Sequence, residues 1–225
     1  MSNSLRFVFV CCILVFGAPA AAEIVSDIRK VHRDSPMAKY LTSPEAQQKL
    51  FDLAVGIDRQ LGLECKGSHD LKIVQILILN PIDKADAAPH PTSGAWKYGY
   101  DVTRCGSAKR YNALMSAKPG EAPQVISLVP GTTISSPTLM VDTLRILFAG
   151  AGLLFGSDCK DVKLLDTELV QPPRAVTEGD KVGQGVWNER WTLVGCGQTI
   201  PRNVTFTLDG AGGTHIAFEP FKPRT

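Results

Sequence analysis

GAWKYGYDVTRCG, residues 94–106, and GVWNERWTLVGCG, residues 185–197, are two versions of one pattern. In each, a Gly-x-Trp leads through eight residues to a Cys-Gly pair. Reading with the two-residue period of a strand puts Trp96, Tyr98, Tyr100 and Val102 on one face, with Trp187, Trp191 and Leu193 in the matching places. The likeness extends outward from these strands. Ser43-Pro44 opens a helical pattern ending at Cys65-Lys66, and Ser136-Pro137 opens another ending at Cys159-Lys160. Downstream, Gly120 followed by Ile126, Leu128 and Pro130 lines up with Gly210 followed by Ile216, Phe218 and Pro220. A period of about 92 residues is too long for a solenoid unit, so this is a duplicated domain. The copies span 37–131 and 132–225, and 23–36 is an N-terminal segment.

Each copy is predicted to begin with a helix whose Ser is the N-cap and whose Pro takes the first helical position. Ala46, Leu50, Leu53, Ala54, Ile57 and Leu61 form a helical stripe, with Glu45, Gln48, Lys49, Asp52 and Arg59 elsewhere, as in a one-sided surface helix. Strands are expected at Leu71–Leu79 and Trp96–Arg104, then near Arg110–Ser116 and Gln124–Val129. The second set is Val162–Val170, Trp187–Gly195, Asn203–Leu208 and Thr214–Glu219. Residues 80–93 and 171–184, rich in Pro, Ala, Asp and Lys, read as loops, and Asp209-Gly210 as a turn. The fold class is therefore α+β: two tandem copies of a helix followed by a four-stranded antiparallel meander.

The chain opens with Arg6, an apolar run from Phe7 to Phe16 and the small residues Gly17 to Ala22. This is the tripartite pattern of a secretory signal, with cleavage expected after Ala22 or alternatively Ala20. An apolar run of about ten residues is too short for the ~20 of a membrane anchor. Bulky Val10 before Cys11 speaks against a lipoprotein site, so Cys11 and Cys12 leave with the signal. Removing 1–22 from 225 residues leaves 203, and losing Arg6 takes the formal charge from +2 to +1. That balance offers nothing to nucleic acid. The expected location is the periplasm or the exterior.

Cys65, Cys105, Cys159 and Cys196 remain, an even number in an exported chain. A zinc site lacks any close C-x-x-C pair. Because an ancestral single copy would close its own two cysteines, the duplication pairs Cys65 with Cys105 and Cys159 with Cys196. In an antiparallel hairpin these partners fall side by side. Each bridge closes about 40 residues, worth ~4 kcal/mol at most.

Two resemblances follow. The helix-then-meander order is similar to the cystatin-like architecture, which implies a sheet wrapped around a helix and transfers no activity. Trp187 to Gly197, followed by Gly212-Gly213-Thr214, resembles a motif of uncharacterised exported bacterial proteins, W-x-E-x-W-x4-C-G. It carries no catalytic role.

Searching for chemistry yields little. His32, His69, His90 and His215 form no metal-binding spacing, and none is copied in the other repeat. There is no nucleophile elbow and no phosphate loop; Gly210–Gly213 precedes a strand and reads as a tight hairpin. Asn203-Val204-Thr205 reads as a chance sequon. Trp96 and Trp187 read as core beneath the helix. Glu189 and Arg190, flanked by Trp187 and Trp191, replace Tyr98 and Gly99, marking a candidate binding site private to the second copy. The second helix, Pro137 to Phe155, repeats the inner stripe as Met140, Leu144, Leu147, Ala151 and Leu154. Its opposite face is apolar too, at Ile146, Ala149, Gly150 and Leu153, and is expected to be an interface with the first copy or with another protein.

The leading expectation is a non-enzymatic binding module for a protein partner or small apolar ligand, without cofactor or metal. The alternatives are a hydrolase drawing on Asp83, Asp86, His90, Glu178 and Asp180 in the two loops, and a protease-inhibitor-like module.

Overall fold

The computed structural model describes residues 36–65, 67, 69–84, 88–178 and 181–220, excluding the side chains of 175–178 and 181–184. The segment read as a signal peptide and His32 lie outside the described residues. Each half contains helices followed by a four-stranded antiparallel sheet in sequential order. The first half comprises α1 (Pro36–Leu41), α2 (Pro44–Leu61), β1 (His69–Asp83), β2 (Ser93–Arg104), β3 (Ser107–Ser116) and β4 (Gln124–Ser127). The second comprises α3 (Pro137–Ala149), α4 (Ala151–Phe155), β5 (Lys163–Glu178), β6 (Lys181–Gly195), β7 (Gln198–Leu208) and β8 (Thr214–Phe218).

The same local chemistry starts both long helices. Ser43 accepts a bond from the Ala46 amide and Ser136 from the Leu139 amide, each followed by Pro in the first turn. These oxygens satisfy amides that a helix start leaves without intrahelical acceptors. The single helix expected over 137–155 is divided at Gly150, and Gly156 ends the second piece. Gly150 carries no side chain to favour helical dihedrals, which weakens the helix there.

Both central hairpins turn on Cys-Gly. Cys105 and Gly106 have φ of 47° and 76°, and Cys196 and Gly197 have 48° and 74°. Two successive positive φ values are the signature of a type I′ turn, whose twist matches that of the flanking strands. The turn presents each cysteine to the segment between helix and first strand, where Cys65–Cys105 and Cys159–Cys196 close with Cα separations of 6.4 and 5.9 Å.

Of the two segments read as loops, 171–184 is largely strand, whereas 80–93 is strand only at its ends. β1 continues to Asp83, and β5 and β6 leave only 179–180 between them. Pro172 and Pro173 lie in β5 between register shifts, on the outer strand of the sheet, where a missing N–H breaks no ladder on the open side. In β1, a register shift between Ile73 and Gln75 changes the phase of the side chains. Leu71 and Ile73 before it, and Ile76 and Ile78 after it, all pack on the core.

One face of each sheet holds a core. In the first half, Leu50 and Ala54 of α2 meet Trp96, Tyr98, Tyr100, Val102, Tyr111 and Met115. Beside them a buried Arg104–Asp58 ion pair accepts support from Tyr111, whose hydroxyl donates to Asp58 at 2.7 Å. In the second half, Met140, Leu147 and Phe155 meet Trp187, Trp191, Leu193, Val204 and Phe206.

The connection between halves is itself built into both sheets. The Leu128 amide donates to the Asn112 carbonyl and the Gly131 amide to that of Arg110, on β3. The Thr132 amide then donates to the Thr167 carbonyl, and the Leu169 amide to the Thr132 hydroxyl, on β5. Asn112 donates from Nδ2 to the carbonyls of both Val129 and Gly131 at 2.9 Å.

Candidate functional site

Strand alternation brings Trp187, Glu189 and Trp191 to the core-facing side of β6. There Trp187 is 7% exposed, and Glu189 and Trp191 are fully buried. The Glu189 carboxylate accepts five hydrogen bonds: from the indoles of Trp187 (3.1 Å) and Trp191 (2.9 Å), the Thr133 and Ser135 hydroxyls (2.8 and 3.3 Å) and the Ile134 amide (3.1 Å). A buried carboxylate is tolerable when donors replace its water. The donors from 133–135 fix the chain just ahead of the α3 N-cap. In the first half, Tyr98 occupies the equivalent place and its hydroxyl donates to the Leu41 carbonyl at 2.8 Å, also two residues before the N-cap. Thus Trp187, Glu189 and Trp191 are placed inside, as an anchor for α3, and out of reach of a ligand. Arg190 points to the other face and pairs with Glu168 at 2.8 Å. The matching Tyr98 and Leu41 could have indicated this role from sequence, but only with knowledge that they bond.

Lys97 alternates with Trp96 and Tyr98 and so lies on the opposite face of β2 from that core, yet is only 5% exposed. Burial pushes its ammonium down to about 8, and the Glu189 carboxylate opposes that shift.

The α3–α4 pair shows a different environment. Its inner residues Met140, Leu147 and Phe155 are buried, whereas Val141, Ile146, Phe148 and Leu153 are exposed, Leu153 by 81%. The first half therefore does not cover Ile146 or Leu153. Two apolar grooves flank the helix. One, about 340 Å³, separates it from Ile57 and Leu61 of α2 and includes Leu144, Val141 and Phe148. The other, about 180 Å³, lies between Ile146, Gly150 and Leu153 and the β-sheet residues Arg202 and Phe218.

The residues of the hydrolase alternative are dispersed. Asp86 and Asp180 lie outside the described residues, as does the side chain of Glu178. Asp83 closes the first hairpin through its carbonyl, which accepts from the Thr92 amide. His90 has its Nδ1 3.7 Å from Glu45 on α2, and Glu45 also pairs with Lys49 at 3.0 Å. That contact joins residues 45 apart in sequence and has no local signal. His69 packs edge-on against Phe51, and His215 is exposed on β8. The Gly210–Gly213 turn is closed by Asp209, whose Oδ1 accepts from the amides of Ala211 and Gly213 at 2.8 Å, and these bonds lower its pKa.

Among the described residues, no group of three His, Cys, Asp or Glu side chains is placed to hold a metal ion, and no helix is long and apolar enough to cross a membrane. The two disulfides are compatible with a protein outside the cytoplasm. Comparison with protein-family models, curated proteins and solved structures gave no match to the chain.

Proposed function

We propose that the chain is an exported, non-enzymatic binding protein that engages another protein through the outer face of α3 and α4. The observation that carries this reading is the exposure of Ile146 and Leu153 on a helix whose inner face is already occupied by its own sheet. Contiguous apolar surface is costly in water, and where a folded protein retains it the surface commonly serves as a contact. Phe218 and Leu147 extend the same apolar environment into the adjoining groove, giving an inserted side chain somewhere to lie.

The test replaces Ile146 and Leu153 together by Glu. Because both are exposed, the variant is expected to keep the parent's folding transition. It should also lose the crosslink to an envelope protein formed by a photoreactive residue introduced at exposed Ala149, beside Ile146 and Leu153 on the helix. Unchanged crosslinking in a folded double variant would refute the reading. Turnover of ester, peptide or glycoside substrates that vanishes in His90→Ala would favour the hydrolase instead.

A further inference from the structure

A polar cavity of about 360 Å³ sits at the seam between the halves, away from α3 and α4. Its walls are Asp101 and Lys109–Arg110 from the first sheet, Gly131 and Thr132 from the connection, and Asp166–Glu168 from β5. Three of its charges are already satisfied by neighbours. Arg110 holds both oxygens of Asp101, at 2.5 and 3.2 Å, and Glu168 is held by Arg190 at 2.8 Å. Lys109 and Asp166 are left without an ion-pair partner, the Asp166 carboxylate accepting from the Thr167 amide. The Lys109 Nζ is buried without a hydrogen-bond partner and lies over the Tyr111 ring, 5.5 Å from its centroid. Burial lowers the pKa of Lys109 and raises that of Asp166, and each is the leading favourable charge for the other. They face one another across the seam without closing an ion pair.

The duplication provides an internal control. Lys109 pairs with Val102, and the matching partners in the second half are Leu193 and Ile200. Asp166 pairs with Thr192, and the matching partners in the first half are Asp101 and exposed Lys72. Neither charge is therefore a feature of the module itself; both occur only where the two modules meet.

We propose that this seam cavity binds a small zwitterion, in its simplest form a free α-amino acid, with its carboxylate on Lys109 and its ammonium on Asp166. A lone anion would meet one available cation and the carboxylates of Asp101, Asp166 and Glu168. A lone cation would be opposed by Lys109 and Arg110. Only a ligand carrying both charges matches both groups that lack an ion-pair partner. The volume lies near the small end of ligand sites, about 300–1,000 Å³, and junctions between domains are a common place for them. An ammonium without a partner is costly when buried, and a ligand carboxylate would relieve that cost.

The experiment is calorimetric titration of the full mature chain with the proteinogenic α-amino acids, each beside its N-acetyl and carboxamide derivatives. At least one free amino acid is expected to bind, and blocking either end should weaken it by about tenfold or more, as loss of a charge-assisted bond does. Lys109→Met and Asp166→Asn should each weaken it as much. Chemical-shift mapping on the parent chain, which needs no variant to fold, should place the perturbation at Thr132, Asp166 and Thr167. The proposal is overturned if no free amino acid binds at millimolar concentration, if the blocked derivatives bind equally well, or if the shifts map elsewhere. These outcomes are independent of the α3–α4 surface.

Discussion

Gly131 and Thr167 are in direct backbone contact: a Cβ built on Gly131 would stand 1.9 Å from the Thr167 carbonyl oxygen and 2.5 Å from its amide nitrogen. Gly131 also has a φ of +103°, a region that side chains disfavour. Closeness and conformation thus both require glycine where the connection passes from β3 to β5. Gly131→Ala is expected to cost about 3 kcal/mol or more, in the range of severe packing and backbone lesions. Urea unfolding measures it, and a loss below about 0.5 kcal/mol, typical of an indifferent surface position, would show that the seam is not tight.

The duplicated anchor ahead of each long helix is unequal. Tyr98 contributes one hydroxyl bond, whereas Glu189 collects five donors, including both indoles. Tyr98→Phe is expected to cost about 1 kcal/mol, the net worth of one bond. Glu189→Ala leaves several buried donors without acceptors and should cost about 3–5 kcal/mol. Equal losses in chemical denaturation would contradict the anchor role of Glu189.

Alkaline pH should first strengthen and then weaken the fold. In the folded chain the Lys97 ammonium titrates at about 8 instead of 10.5, so between those values the unfolded chain holds a proton the folded one has released. Stability therefore rises with pH through that window, by up to roughly 3 kcal/mol. The phenols act in the opposite direction. Burial pushes Tyr40 and Tyr111 to about 12, and Tyr98 and Tyr100 higher still. Above pH 10 the unfolded chain loses phenolic protons that the folded chain keeps, and stability falls. Lys97→Met should reduce the rise, to which Lys109 also contributes, and retain the fall; an unaltered profile would mean that Lys97 is not held out of water.

The paired landmarks were legible because they are local. Ser-Pro starts a helix by its own capping chemistry, and Cys-Gly can adopt an I′ turn wherever it occurs, so the strands around it are set in register. The register shift after Ile73 was not legible, because Leu71 to Leu79 is apolar on both phases and alternation could not locate it. The strand character of 171–178 was hidden by Pro172 and Pro173, whose effect depends on which strand lies at the edge. Glu189 drew notice as the charged replacement for Tyr98, yet its buried position follows from donors more than fifty residues away. The seam cavity had no signature at all, since Lys109 and Asp166 become neighbours only when the connection pairs with both sheets.

Gly150 provides the opposite case to Gly131 and connects stability to the proposed contact. It has ordinary right-handed dihedrals, φ −85° and ψ −3°, and a Cβ there would meet the carbonyl oxygens of Ile146 and Leu147 at 3.6 and 3.7 Å, which is normal contact. Replacing glycine where alanine fits without strain reduces the freedom of the unfolded chain and raises helix propensity. Gly150→Ala is therefore expected to stabilise the protein by about 0.5–1 kcal/mol and to favour a single helix through the α3–α4 junction. Its methyl would also enter the groove formed with Leu153, Arg202 and Phe218. A higher unfolding midpoint together with weaker partner crosslinking is the expected combination. A lower midpoint would show that the break at Gly150 is required by the fold, and unchanged crosslinking would place the contact on the α2 side of the helix, at Val141 and Phe148.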